Sequence, residues 1–97
     1  MDRNSLLTYP DFNENFKIYT NASDFKLGAV ILQKGKPIAF YSRKRTESQQ
    51  RYKVTERELL IISETMKSFR TILLGQKLRI YTYHTSLHGR VLILIEY

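Results

Sequence analysis

Hydrophobic and polar positions alternate strictly from Phe16 to Ala22. Phe16, Ile18, Thr20 and Ala22 fall on one side, and Lys17, Tyr19 and Asn21 on the other. A period of two is that of a half-buried β-strand, and the β-branched and aromatic content suits a pleated surface. The alternation breaks at Ser23-Asp24-Phe25-Lys26 and resumes as an almost continuous apolar run over Leu27–Gln33, as expected of a strand covered on both faces. A hairpin is the economical connection between the two. Lys34-Gly35-Lys36 reads as the next turn, and Pro37–Ser42 as a third strand. Lacking an amide proton, Pro37 belongs at the start of that strand or on an edge.

Further on the period lengthens. Thr55-Glu56-Arg57-Glu58 has the form of a capping box, in which Thr55 caps the first amides and Glu58 reaches back. Leu59, Ile62, Met66, Phe69 and Leu73 then recur at steps of three and four, the stripe of a helix that packs on a core. Gly75 suits the left-handed residue after that helix, and Leu78–Tyr83 is a fourth strand with Leu78, Ile80 and Thr82 inward. The first residues, Met1–Asn15, are polar and irregular, an extended lead-in around Tyr9-Pro10. The order of elements predicts an α/β fold with a mixed sheet: three antiparallel strands, a crossover helix, and a fourth strand parallel to the first.

The first and fourth strands share the run Ile-Tyr-Thr, at Ile18–Thr20 and Ile80–Thr82. If they are neighbours, the residues that follow, Asn21 and Tyr83, occupy equivalent places near the strand ends, where α/β folds put their sites. Glu58 joins them if the start of the helix overhangs the same edge.

Length and charge narrow the picture. The chain of 97 residues is of single-domain size, and its 42% hydrophobic and 26% charged content is ordinary for a folded protein. Sixteen Lys and Arg against nine Asp and Glu leave a net charge of +7, a balance that favours polyanions such as nucleic acid and also serves solubility. Several cations, Arg43, Lys44, Arg45, Arg51 and Lys53, surround Tyr52 in what reads as a basic loop. That loop suits phosphate contact beside an aromatic stacking partner, or simply a solvated connection. With no cysteine there is no disulfide and no thiolate metal site, and His84 and His88 alone are a poor environment for Mg²⁺, which prefers oxygen ligands. No apolar run approaches the roughly 18 residues of a membrane span. The expectation is a soluble, intracellular protein that uses no membrane; the sequence does not specify an oligomeric state.

Six stretches taken together, LTYPDF, YTNASD, LGAVILQ, GKPIAFYSRK, TERELL and IYTYHTSL, resemble in this order the RNase H domain of gypsy-type LTR-retrotransposon reverse transcriptase polyproteins. The resemblance runs from Leu7 to Leu87. It implies a ribonuclease H-like fold over residues 16–87 and, in intact members, cleavage of RNA in RNA–DNA hybrids with Mg²⁺ or Mn²⁺.

The departures from that pattern fall on the chemistry. The family's first-strand Asp matches Asn21, its helix Glu matches Glu58, and its fourth-strand Asp matches Tyr83, with His84 preserved after it. Two of the three carboxylates at these positions are therefore replaced. Two dications about 4 Å apart repel by roughly 17 kcal/mol at an effective dielectric of 20, which a single glutamate does not offset. Asn21 offers only an amide oxygen, and Tyr83 a phenol that ionises only near pH 10. Asp24 sits at an odd offset from Asn21 and is expected to face away. Glu58 is left as a vestigial metal ligand or as a helix cap, and no bound metal is expected.

From His88 onward, HGRVLILIEY departs from the family, so residues 88–97 read as a divergent apolar tail, an added strand or a sticky edge, on a C-terminally incomplete domain. The expected function is that of a degenerate RNase H-like domain with impaired catalysis. The alternatives are a non-catalytic basic module that binds nucleic acid, including RNA–DNA hybrid, or a product without function.

Overall fold

The computed structural model describes residues 3–23, 25–46, 54–84 and 89–97. Six strands and two helices follow one another as β1 (Arg3–Leu6), β2 (Phe16–Ala22), β3 (Lys26–Gln33), β4 (Lys36–Lys44), α1 (Val54–Ser68), α2 (Arg70–Leu73), β5 (Lys77–His84) and β6 (Gly89–Glu96). They build one sheet in the order β1-β4-β3-β2-β5-β6. β2, β3 and β4 are antiparallel neighbours, and β5 runs parallel to β2. This is the mixed sheet that the hydrophobic pattern predicts, with α1 as the crossover.

The turns obey their sequences. Lys34 and Gly35 both take positive φ, 53° and 75°, the two-residue hairpin geometry whose twist matches that of the flanking strands. Pro37 stands at the start of β4, beside a register shift that leaves Ile38 as the extra residue. The Ser23 hydroxyl accepts the amides of Phe25 and Lys26 at 3.3 and 3.0 Å and so closes the first hairpin; Asp24 lies outside the described residues. Gly75, at φ 82°, takes the left-handed place after the helices, as its position predicts.

The core lies between the sheet and α1. Phe16 and Ile18 of β2, Leu27 and Ile31 of β3, Ala39 and Tyr41 of β4, and Leu78 and Ile80 of β5 meet Ile61, Ile62, Phe69 and Leu73. Among the described residues both helices serve this one face. β3 is therefore not covered on both faces as its apolar run suggests: Leu27, Ala29, Ile31 and Gln33 are buried, while Gly28, Val30 and Leu32 on the reverse are only half-buried.

Two further expectations are corrected. Part of the lead-in is a strand: Arg3–Leu6 pairs antiparallel with β4 and covers what would otherwise be its free edge. The lead-in is then pinned by buried Gln33, whose Oε1 accepts the Asp11 amide and whose Nε2 donates to the Asp11 carbonyl, both at 2.8 Å. The helix does not run unbroken, because Phe69 (φ −117°, ψ 29°) leaves helical geometry between α1 and α2. Its buried stripe is also set differently, since Leu59 is 62% exposed whereas Ile61 and Thr65 are fully buried. For the apolar tail the added-strand alternative holds: β6 pairs antiparallel with β5 at the sheet edge, with Ile93 and Ile95 turned toward the core.

Candidate functional site

The site begins with the parallel pair. β2 and β5 pair in parallel from Phe16 with Leu78 through Tyr19 with Tyr81, and Thr20-Asn21 and Thr82-Tyr83 follow the last pair on the two strands. The Ile-Tyr of the two repeated runs is thus aligned by the sheet, Ile18 with Ile80 and Tyr19 with Tyr81. Thr20 and Thr82 are buried on the side that faces α1. Asn21 is exposed on the side that carries Tyr19.

Glu58 enters from the first turns of α1. It is 9% exposed, and its Oε2 accepts the Thr82 hydroxyl at 2.5 Å. That bond ties the helix to β5 and engages the carboxylate that the capping-box reading turned back on Thr55. α1 itself starts one residue earlier, at Val54. The Thr20 hydroxyl is buried and has no hydrogen-bond partner among the described residues. The structure therefore brings Glu58 to Thr82, the residue before Tyr83, and leaves Asn21 exposed on the other strand face.

Arg90 is a site residue that the sequence reading missed. From β6, where it stands opposite Tyr83, its Nη1 donates to the carbonyls of Thr20 at 3.0 Å and Tyr81 at 3.2 Å. Its guanidinium lies 5.5 Å from the centroid of Tyr19, whose ring stacks on Tyr81 at 4.7 Å with 11° between planes. The only signal in the sequence was a lone cation ahead of the Val91–Ile95 run.

The basic segment divides. Arg43 and Lys44 belong to β4 and not to a loop. Arg43 pairs with Glu64 of α1 at 3.4 Å, and Arg45, 3% exposed, donates Nη1 to the Ser23 carbonyl at 2.6 Å. Both guanidiniums are engaged inside the fold, because β-alternation turns Arg43 toward α1 and Arg45 closes the first hairpin. Lys44 is exposed. Arg51, Tyr52, Lys53 and His88 lie outside the described residues.

A mixed sheet whose antiparallel strands lead through a crossover helix to a strand parallel to the first, with a helix glutamate at the parallel pair, is the framework of a ribonuclease H-like protein. The chain belongs to the family described as the RNase H-like domain found in reverse transcriptase, which matches residues 11–91. It is 41% identical over 85 residues to the retrovirus-related Pol polyprotein from transposon 297 of Drosophila melanogaster, covering 88% of this chain and 8% of that protein. It is 39% identical over 83 residues to the Pol polyprotein from transposon gypsy of the same organism, covering 84% of this chain and 8% of that protein. The chain thus spans a small fraction of its relatives' length. Among solved structures, the foamy viral protease-reverse transcriptase in complex with RNA/DNA hybrid shares the fold with a TM-score of 0.70 at 23% identity, over 84% of this chain and 12% of that one.

RNase H-like proteins use divalent metals, and the donors here fit such ions poorly. Among the described residues no three His, Cys, Asp or Glu side chains come together. Among the described residues the carboxylate at the parallel pair is Glu58, and it already accepts the Thr82 hydroxyl. Hard cations favour several charged oxygens, and Asn21 supplies a neutral one. No helix among the described residues is long and apolar enough to cross a membrane.

Proposed function

We propose that this RNase H-like domain of a retrotransposon reverse transcriptase no longer hydrolyses RNA in RNA–DNA hybrids and acts by binding nucleic acid. The observation that supports the reading is the parallel pairing of Tyr19 with Tyr81, two residues after which stand Asn21 and Tyr83, uncharged residues where the resemblance expects aspartates. Without those carboxylates the two-ion arrangement lacks the negative charge that offsets metal–metal repulsion, so neither water activation nor leaving-group stabilisation is supplied.

Incubating the protein with labelled RNA–DNA hybrid in Mg²⁺ or Mn²⁺ is expected to give no cleavage above a protein-free control, and Glu58→Gln is expected to change nothing. Metal-dependent cleavage that disappears in Glu58→Gln overturns the reading.

Binding is favoured by the net charge of +7 and by the exposed Lys44, with Arg51 and Lys53 as further phosphate contacts. The structurally similar foamy viral enzyme in complex with RNA/DNA hybrid supports a hybrid as ligand. Hybrid affinity measured at rising salt is expected to fall with a log–log slope of about −0.9 per phosphate contact. A response flat in salt removes this role.

A further inference from the structure

The sheet face away from α1 carries a groove of about 350 Å³ between β2, β3 and β4. Tyr19 forms one wall and Phe40 another, Gly28 and Val30 lie beneath, and Asn21 and Arg90 stand at its margin. The strand registers explain this composition: Tyr19, Val30 and Phe40 form one cross-strand row, and Asn21, Gly28 and Ser42 form the next. The shape depends on Gly28, since a Cβ there would meet only the Asn21 carbonyl, at 3.7 Å. Tyr19 is braced from behind by Tyr81, and the Arg90 guanidinium stands over its ring.

We infer that this groove is a binding slot for one unpaired base of a single-stranded nucleic acid, a surface separate from the Glu58–Thr82 pair on the opposite face. Every base has an apolar π-face that stacks on aromatic walls, and its polar edge needs donors and acceptors, which the Asn21 amide supplies. The charge around the groove is of the matching sign. Lys26 and Lys44 form the next cross-strand row beyond Gly28, about 7 Å along the strands, and Arg90 flanks Tyr19. Lys17 and Arg79 are adjacent on the same face one row beyond Tyr19 and Tyr81. Glu96 is the one carboxylate among the described strand residues of this face. A backbone threaded between these rows meets cations on either side of the stacked base. A duplex cannot use the slot, because its bases are paired and stacked within the helix.

The test is fluorescence anisotropy of labelled ten-nucleotide oligo-dT and oligo-U, with RNA–DNA hybrid as a separate arm, on wild type and Gly28→Val. Valine fills the groove, and it suits a strand. Gly28→Val is expected to weaken both single strands about tenfold, the scale of one lost base stack, and to leave the hybrid unchanged. Circular dichroism melting of Gly28→Val shows whether the fold is kept. If it is not, Lys17→Glu with Lys26→Glu, on exposed positions of the same face, supplies the same comparison and is likewise expected to weaken single-strand binding about tenfold or more. Wild-type protein that binds neither single strand, or a folded variant that binds them as wild type does, overturns the slot. Equal loss for hybrid and single strands also overturns it, since the groove would then be part of a duplex surface. Loss of hybrid binding in wild type alone bears on the proposed function and leaves the slot standing.

Discussion

Ile61→Ala is expected to destabilise the protein by about 3 kcal/mol, while Leu59→Ala, two residues away on the same helix, costs less than about 0.5 kcal/mol. Ile61 is fully buried between α1 and the sheet, so truncation removes apolar area and leaves a cavity that the surrounding β2, β3 and β5 side chains cannot fill by collapse. Leu59 points to solvent, and alanine is the better helix former, so its loss is nearly neutral. For a domain of this size a change of 1 kcal/mol moves the melting midpoint by roughly 4–8 °C, so Ile61→Ala falls by about 12–24 °C and Leu59→Ala hardly moves. Thermal unfolding followed by circular dichroism separates the two. Equal losses would place both residues in the core and return the helix to the phase that its leucine spacing suggests.

That pair of residues shows where the sequence speaks clearly and where it does not. Leu59, Leu60, Ile61 and Ile62 are four consecutive apolar residues, and at 100° per residue they occupy most of the helix circumference. Periodicity within such a run fits more than one phase. The sheet, and not the helix, decides which residue is buried. The Glu58–Thr82 bond adds a constraint that spacing cannot show, because it joins residues 24 positions apart. Strand alternation is stricter, since a slip of one residue reverses every side chain, and it placed Phe16, Ile18, Thr20, Leu78, Ile80 and Thr82 inward without ambiguity.

The repeated Ile-Tyr-Thr run gave the parallel register for a related reason. Identical short strands in one sheet bury identical faces, so Tyr19 and Tyr81 emerge side by side and stack. The coverage of β3 was less legible. A continuous apolar run on a central strand implies burial on both faces, yet Val30 and Leu32 are half-buried by cross-strand neighbours such as Phe40 rather than by a second layer of helix. Arg43 and Lys44 read as part of a loop because composition carries no direction. Arg43 and Arg45 turn inward to a carboxylate and a carbonyl, which a basic stretch does not reveal until the strand that carries it is known. Arg90 lay beyond the stretch whose motifs showed the resemblance, although the family match runs on to residue 91, and its role emerges only when β6 brings it across β5 to the Thr20 carbonyl.

Asn21→Asp combined with Tyr83→Asp is expected to turn a chain whose stability is indifferent to Mn²⁺ into one that Mn²⁺ stabilises. The parallel pairing runs as far as Tyr19 and Tyr81, and carried two residues further it would put the two new carboxylates level on strands about 4.8 Å apart. Without metal, like charges directly opposite one another cost up to about 1 kcal/mol, an effect muted by Arg90, the cross-strand partner of position 83. The metal-free double variant therefore melts slightly below wild type. A divalent cation reverses the sign, because the geometry that is repulsive when empty is the one that supplies two charged oxygens. At a free Mn²⁺ concentration about 100-fold above its dissociation constant, linkage adds roughly 2.7 kcal/mol. For a chain of this size that corresponds to a rise of about 11–22 °C over the metal-free variant, with no rise in wild type. If the double variant's midpoint ignores Mn²⁺, the strand ends diverge beyond Tyr19 and Tyr81, and the two positions do not share a site.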